Sequence, residues 1–350
     1  MTNKTNHESS THRRAPAEGE KPLQAKGGEK MKTKEEIRGA EEYYDKLVPA
    51  IYESNRFPKD FNLKPLDWAL GDETIQRENI ETKIAGETKS IRPISTMDVE
   101  FLSNEILGLA KEGKIDLVKD YPCGMNCPGC FSQEAVYGDT ENLMYWQDGM
   151  KEIDNARTIG LTSTKFLGPG ELFQNPDVFD ILDAFKERNL PISVFTKGAN
   201  LGDDELARQD YGVQGIGSAK ELVARLAGYD NLRVLLGFNS FFKDRQDKMV
   251  GSYSNTANYQ LVDGKFINRG VADYTEKRNK ALVNLVGAGF NNPEKGQRLS
   301  LIAAPVSLGQ ADEIPSMYLW AAKRNIPLVI APTMESGPRS IGLSKFNAKV

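Results

Sequence analysis

Residues 164–198 read TKFLGPGELFQNPDVFDILDAFKERNLPISVFTKG, and their pattern is that of one complete strand–helix–strand unit. Thr164 to Leu167 reads as a short buried strand that stops at Gly168-Pro169-Gly170. Asn175 reads as a helix cap with Pro176 at the first helical position, and Val178, Ile181, Leu182 and Phe185 then share one helical face. Pro191 to Phe195 reads as the next strand. A strand that returns to a parallel neighbour through a helix makes a right-handed crossover.

The same rhythm continues in both directions. Towards the C-terminus, a helical region near 217–227 precedes a strand from Leu232 to Phe238. A helix over 273–286, a strand from Leu299 to Ala304, a helix over 311–323 and a strand from Pro327 to Ala331 follow. Towards the N-terminus, Trp146, Met150 and Ile153 predict a helix over 143–158. Ahead of it, Ser95 and Asp98 give a capping signal for a helix that carries Val99, Leu102, Ile106 and Leu109 on one face and ends at Gly113. Ile115 to Val118 reads as the first strand, feeding into Tyr121-Pro122-Cys123. About six such units predict a parallel α/β sheet, and a closed eight-unit barrel would need more chain. The hydrophobic pattern alone fits either an open partial barrel or a flat doubly wound sheet.

The polar stretch 241–272 interrupts the rhythm and reads as a long loop with room for a hairpin around Asp263-Gly264. Residues 1–30 are polar and read as a disordered tail. Residues 31–94 form an N-terminal extension in which Ile37, Tyr44, Leu47, Val48 and Ile51 predict an amphipathic helix interrupted by Pro49. The main unit spans 95–335, and 336–350 is a short C-terminal tail. Segments 54–94 and 241–272 are where substrate contacts are expected. Lys and Arg number 45 against 49 Asp and Glu, so a net charge of -4 offers no electrostatic case for general nucleic-acid binding. No apolar run approaches the roughly 18 residues a bilayer requires, and no signal-peptide core opens the chain, so a cytoplasmic location is expected.

The chemistry concentrates at Cys123-Gly124-Met125-Asn126-Cys127-Pro128-Gly129-Cys130, which holds all 3 cysteines. Thiolates clustered this closely in a reducing compartment suit a soft metal better than a disulfide framework. A structural zinc site needs four ligands, and the 2 histidines, His7 and His12, lie in the N-terminal tail. Zinc therefore requires a carboxylate or a dimer partner to complete it. On a 4Fe-4S cubane, three thiolates leave one iron open to a small molecule. A thiol redox pair, Cys127 with Cys130, is a further option, and it leaves Cys123 without a role.

The C-x3-C-x2-C spacing of Cys123, Cys127 and Cys130 resembles the cluster loop of the radical S-adenosylmethionine enzymes. That resemblance implies an open six-stranded (β/α)6 TIM-like partial barrel, here with the N-terminal helical extension. It also implies a [4Fe-4S] cluster whose open iron is chelated by S-adenosylmethionine, and reductive cleavage of that cofactor to a 5'-deoxyadenosyl radical. An external one-electron donor, flavodoxin or ferredoxin, is implied as partner, with a peptide or small molecule as the unidentified substrate. Many relatives carry an aromatic residue before the third cysteine, where this chain has Gly129; Phe131 is then the candidate to pack on the adenine.

Gly168, Gly170 and Glu171 match the place of a Gly-Gly-Glu-like segment that meets the methionine amino group in the family, with Pro169 as a departure. Read without the resemblance, these residues make a tight turn and a solvated carboxylate. Thr196-Lys197-Gly198 resembles a Thr-Asn-Gly turn in which Lys197 replaces Asn. Asn239 and Ser240, after the fourth strand, are candidates for the cofactor ribose, or simple turn polarity. Asp312-Glu313-Ile314 resembles the segment opening the fifth helix of relatives and reads mainly as a helix start, with acidic residues set against the helix dipole. No cysteine lies outside 123–130, so protein thiolates offer no auxiliary cluster.

Overall fold

A computed structural model describes residues 31–53, 79–117, 127, 140–168, 170–250, 257–262, 265–270, 273–306 and 310–332. Its centre is a six-stranded parallel sheet built from β3 (Thr96–Asp98), β4 (Ser163–Phe166), β5 (Ile192–Thr196), β6 (Leu232–Gly237), β9 (Leu299–Val306) and β10 (Leu328–Pro332). The strands lie side by side in chain order, and the order never reverses. Right-handed crossovers then all return over the same face. A doubly wound sheet needs a reversal point to place helices on both faces, so the order excludes it. The sheet curls into a half-barrel.

Register explains how the two faces differ. Side chains alternate along a strand, and parallel partners share a face. The row Phe166, Val194 and Val234 and the row Thr196, Leu236, Leu301 and Leu328 follow the pairing from strand to strand. Except for Thr196, these residues belong to the main apolar core with Phe185, Leu222, Leu282 and Trp320 of the surrounding helices. Each large aliphatic side chain buried there contributes on the order of 2 kcal/mol. The opposite face carries a polar row, Asp98, Lys165, Ser193 and Arg233, followed by the mixed row Phe195, Leu235 and Ser300. A polar row on the interior face is what a half-barrel needs to receive a polar ligand.

The outer layer contains α1 (Lys34–Leu47), α2 (Asn104–Lys111), α3 (Trp146–Thr158), α4 (Val178–Glu187), α5 (Ala199–Gly202), α6 (Asp204–Tyr211), α7 (Ala219–Leu226), α8 (Lys243–Met249), α9 (Tyr274–Gly287) and α10 (Ile314–Ala322). Thr33 and Glu36 form a reciprocal capping box that starts α1. Tyr44 then buries its ring against Phe238, Phe241 and Trp320, while Asp45 pairs with Arg324 at 2.6 Å. Two antiparallel hairpins, β1 (Ile80–Ile84) with β2 (Glu87–Ile91) and β7 (Ala257–Val262) with β8 (Lys265–Gly270), stand outside the sheet. Among the described residues no helix is long and apolar enough to cross a membrane.

Several sequence expectations need correction. The helix predicted from Ser95 to Gly113 is two elements, the edge strand β3 and then α2, whose N-cap is Ser103. Val99 belongs with the strand, since its amide donates to Lys165 O at 2.7 Å. Ile115 to Leu117 is not a strand: Leu117 packs with Ala110, and Ile115 lies against them in a small satellite core. The cysteine segment therefore lies in the crossover between β3 and β4, beyond α2. Asn175 does not cap α4; its side chain accepts from Asp177 N at 2.9 Å and donates to Phe101 O at 3.1 Å, so the helix begins two residues later than predicted. Within 241–272 there is a helix as well as a hairpin, and α5 and α6 fill a stretch the periodicity left blank.

Candidate functional site

Ligands of parallel α/β sheets bind beyond the carboxyl ends of the strands. At the end of β4 the chain turns through Gly168 (φ 71°) and Gly170 (φ 101°), both in the left-handed region that side chains avoid. A Cβ on Gly168 would lie 2.7 Å from Gly170 O, whereas one on Gly170 would meet nothing within 4 Å. The turn is closed on itself, and its second glycine leaves the backbone open to approach.

Beyond the turn, Glu171 is buried against the end of β5. Thr196 Oγ1 donates to its Oε2 at 2.5 Å and Lys197 N donates to its Oε1 at 2.7 Å. Burial pushes the carboxyl above its ordinary range, while these two hydrogen bonds and the Lys197 charge pull it back. Gly198 (φ 73°) completes the corner, donating to Thr196 Oγ1 at 2.8 Å. A Cβ there would sit 2.6 Å from Leu236 Cδ1, so glycine is required.

Lys197 follows Phe195 of the mixed row, with its Nζ 5.0 Å from that ring's centroid. It is 8% exposed, yet among the described residues no carboxylate lies within ion-pairing distance of the ammonium. On the neighbouring strand, a Cβ at Gly237 would come within 3.0 Å of Lys197 Cδ, so the missing side chain is what accommodates the lysine stem. Tyr274, fully buried, donates its hydroxyl to Lys197 O at 3.0 Å and packs with Ala199, Leu206 and Val250. Cys127 lies against this group. Burial raises the Tyr274 hydroxyl well above its usual value; Arg278 opposes that, and the charges of Glu171 and Cys127 add to it. A buried carboxylate and a buried ammonium at one strand end suit a ligand bearing both signs of charge.

The end of β6 is arranged differently. Asn239 Nδ2 donates to Ala304 O at 2.9 Å, and the amides of Asn239 and Ser240 both donate to Gln246 Oε1. Ser240 Oγ donates to Glu313 at 2.7 Å and accepts from Phe242 N at 2.9 Å. Glu313, fully buried at the start of α10, also accepts from Phe241 N and from Arg245 Nη1 at 2.9 Å, and Arg245 reaches Asp312 at 3.0 Å. Burial raises the Glu313 carboxyl, offset by Ser240, Arg245 and Phe241. Arg278 lies 3.8 Å over the Phe238 ring and donates to Tyr44 Oη at 2.8 Å. Glu313 is thus more than a helix start: it clamps β6 to α10.

Cys123, Cys130 and Phe131 lie outside the described residues. The described residues contain no group of three or more His, Cys, Asp or Glu able to hold a metal. Sequence reasoning overlooked Thr196 as the partner of Glu171, and Tyr274 and Arg278 altogether. Thr196 was findable, since it ends the strand next to Glu171, whereas Tyr274 carries no local signal. A scan against protein-family models matched none, and a comparison with curated proteins returned no match.

Proposed function

We propose that this chain is a radical S-adenosylmethionine enzyme on a partial (β/α)6 TIM-like barrel, with Cys123, Cys127 and Cys130 holding a [4Fe-4S] cluster. The observation that carries the reading is that Cys127 packs on the Ala199, Leu206, Val250 and Tyr274 group, whose Tyr274 hydroxyl is bonded to Lys197, the residue whose amide holds Glu171. The thiolate loop and the Gly168–Glu171 turn then serve one ligand at the carboxyl end of the sheet. When bound, the cluster and S-adenosylmethionine supply one-electron cleavage of the cofactor, with electrons from flavodoxin or ferredoxin.

The chain's own residues bind and orient. The open backbone at Gly170 admits the methionine end of the cofactor. Glu171, fixed by Thr196 and the Lys197 amide, uses its remaining lone pairs to accept from the amino group. Tyr274 and the buried corner at Gly198 keep water from the same space. Ser240 is a support residue, because Glu313 and Phe242 engage its hydroxyl, and Asn239 holds β6 to β9. Phe131 is assigned to the adenine.

The test is the full chain purified and reconstituted without oxygen. About four irons and four sulfides per chain, an electron paramagnetic resonance spectrum changed by S-adenosylmethionine, and release of 5'-deoxyadenosine under reduction are expected. Cys127→Ser should abolish all three while the far-ultraviolet circular dichroism stays unchanged. Stoichiometric zinc, or a cluster indifferent to S-adenosylmethionine, overturns the proposal.

A further inference from the structure

Beside this site lies an open cleft of about 430 Å³, bounded by β3, α2, the turn Thr140–Asn142 and α3. Its apolar wall includes Met97, Val99, Phe101, Leu107, Leu143 and Met144. Phe101 keeps its place because α3 carries Gly149 opposite it, where a Cβ would come within 2.6 Å of the ring. That volume falls in the range of small-ligand sites, which are mostly apolar with a few placed polar groups.

Every charged residue lining the cleft is acidic: Asp98, Glu100 and Glu152. Among the described residues none of the three is in an ion pair, and Glu152 receives a 3.3 Å hydrogen bond from Asn155. Glu100 reaches solvent, yet burial of its carboxyl end, and then the neighbouring Asp98 charge, push it up to about 7. Like charges held side by side against an apolar wall favour a cation that would neutralise them. Phe101 and Leu102 are also walls of a smaller cleft lined by Gly170 and Glu171, so the larger cleft adjoins the candidate site.

We infer that this larger cleft binds an organic cation, an ammonium or guanidinium carried on an apolar body, with the body against Met97, Phe101 and Leu143 and the charge at Asp98, Glu100 and Glu152. A long aliphatic or aromatic stem with a charged head matches such a site, because the stem is buried while the head meets the carboxylates. The inference extends the proposed function by naming a substrate class, and it rests on that reading only for the word substrate.

The binding test needs no cluster. Saturation-transfer nuclear magnetic resonance on the full chain as purified compares tryptamine, the neutral 3-methylindole and the anionic indole-3-propionate. Tryptamine should bind about tenfold more tightly than 3-methylindole, and the anion most weakly. The triple variant Asp98→Asn/Glu100→Gln/Glu152→Gln should erase that preference and leave 3-methylindole binding unchanged; Leu143→Trp should weaken all three. Equal binding of the three probes, absence of tryptamine binding, or a preference that survives the triple variant overturns the inference. An acetylated, amidated Leu-Lys-Leu peptide run against tryptamine identifies the source of the cation: tighter peptide binding assigns a protein side chain, tighter tryptamine binding a free amine. Failure here leaves the iron and 5'-deoxyadenosine results untouched, and failure of those leaves the probe order untouched.

Discussion

At the carboxyl end of β5, Thr196 and Lys197 enclose a carboxylate from the preceding connection, Glu171; at the end of the neighbouring β6, Ser240 and Phe241 enclose one from a distant segment, Glu313. Both carboxylates are buried and both accept from a hydroxyl and a backbone amide. The difference is charge balance. Glu313 is paired with Arg245, and the group is sealed beneath Phe241 and the Tyr44 ring of α1. At β5 the ammonium of Lys197 is as buried as its carboxylate neighbour but not paired with it. A carboxylate paired with a guanidinium is a clamp, whereas a buried charge with no carboxylate among the described residues to pair it costs stability and marks where a ligand would repay it.

The largest effect that would test this contrast is Glu313→Gln. It takes the fully buried carboxylate partner away from Arg245 while the bond to Asp312 stays, and should cost about 3 kcal/mol, read as a lowered midpoint in urea unfolding. A cost below about 1 kcal/mol would mean the β6 end is not a clamp. Next, Glu171→Gln turns an amide donor towards Thr196 Oγ1 or Lys197 N, and the unfolding free energy should fall by about 2 kcal/mol.

Lys197→Met separates the two strand ends most cleanly. Removing a buried charge that no carboxylate among the described residues pairs should raise stability by about 1 kcal/mol and weaken S-adenosylmethionine binding in the reconstituted protein. A destabilised Lys197→Met protein would instead make the lysine part of a clamp. Smallest is the effect of Glu100, whose carboxyl rises from 4.5 to about 7 on folding. The folded state then holds more protons between those values, so stability is fully present below the lower one and declines as pH rises through the upper one. Solvent screening limits the change to about 1 kcal/mol. Glu100→Gln should remove it from thermal melts taken between pH 4 and pH 8.

The legible parts of the fold were those with local causes. The periodicity of Val178, Ile181, Leu182 and Phe185 and the apolar runs of β5 and β6 each lie within a few turns of chain. The edge strand β3 was read as helix because three residues offer too little alternation to compete with a helical spacing that included Val99. Ile115 and Leu117 were read as strand because an apolar run reports burial, not whether it is burial in a ladder or under a helix. At the candidate site the turn glycines were legible from composition at a strand end, while the burial of Glu171, a solvated carboxylate on composition alone, and the opposite fates of Ser240 and Lys197 were not.

The sequence by itself determined the alternation of strand and helix, hence a parallel sheet, and the clustering of its thiolates at 123–130, because both follow from residues near one another in the chain. The tertiary structure decided the unreversed strand order, the single helix-backed face and the polar row on the face opposite it. It also decided which strand end is ion-paired, since the partner of Ser240 lies 73 residues away and that of Tyr44 235 residues away. Hydrogen-bond and charge balance are sums over such distant partners, and no local pattern contains them.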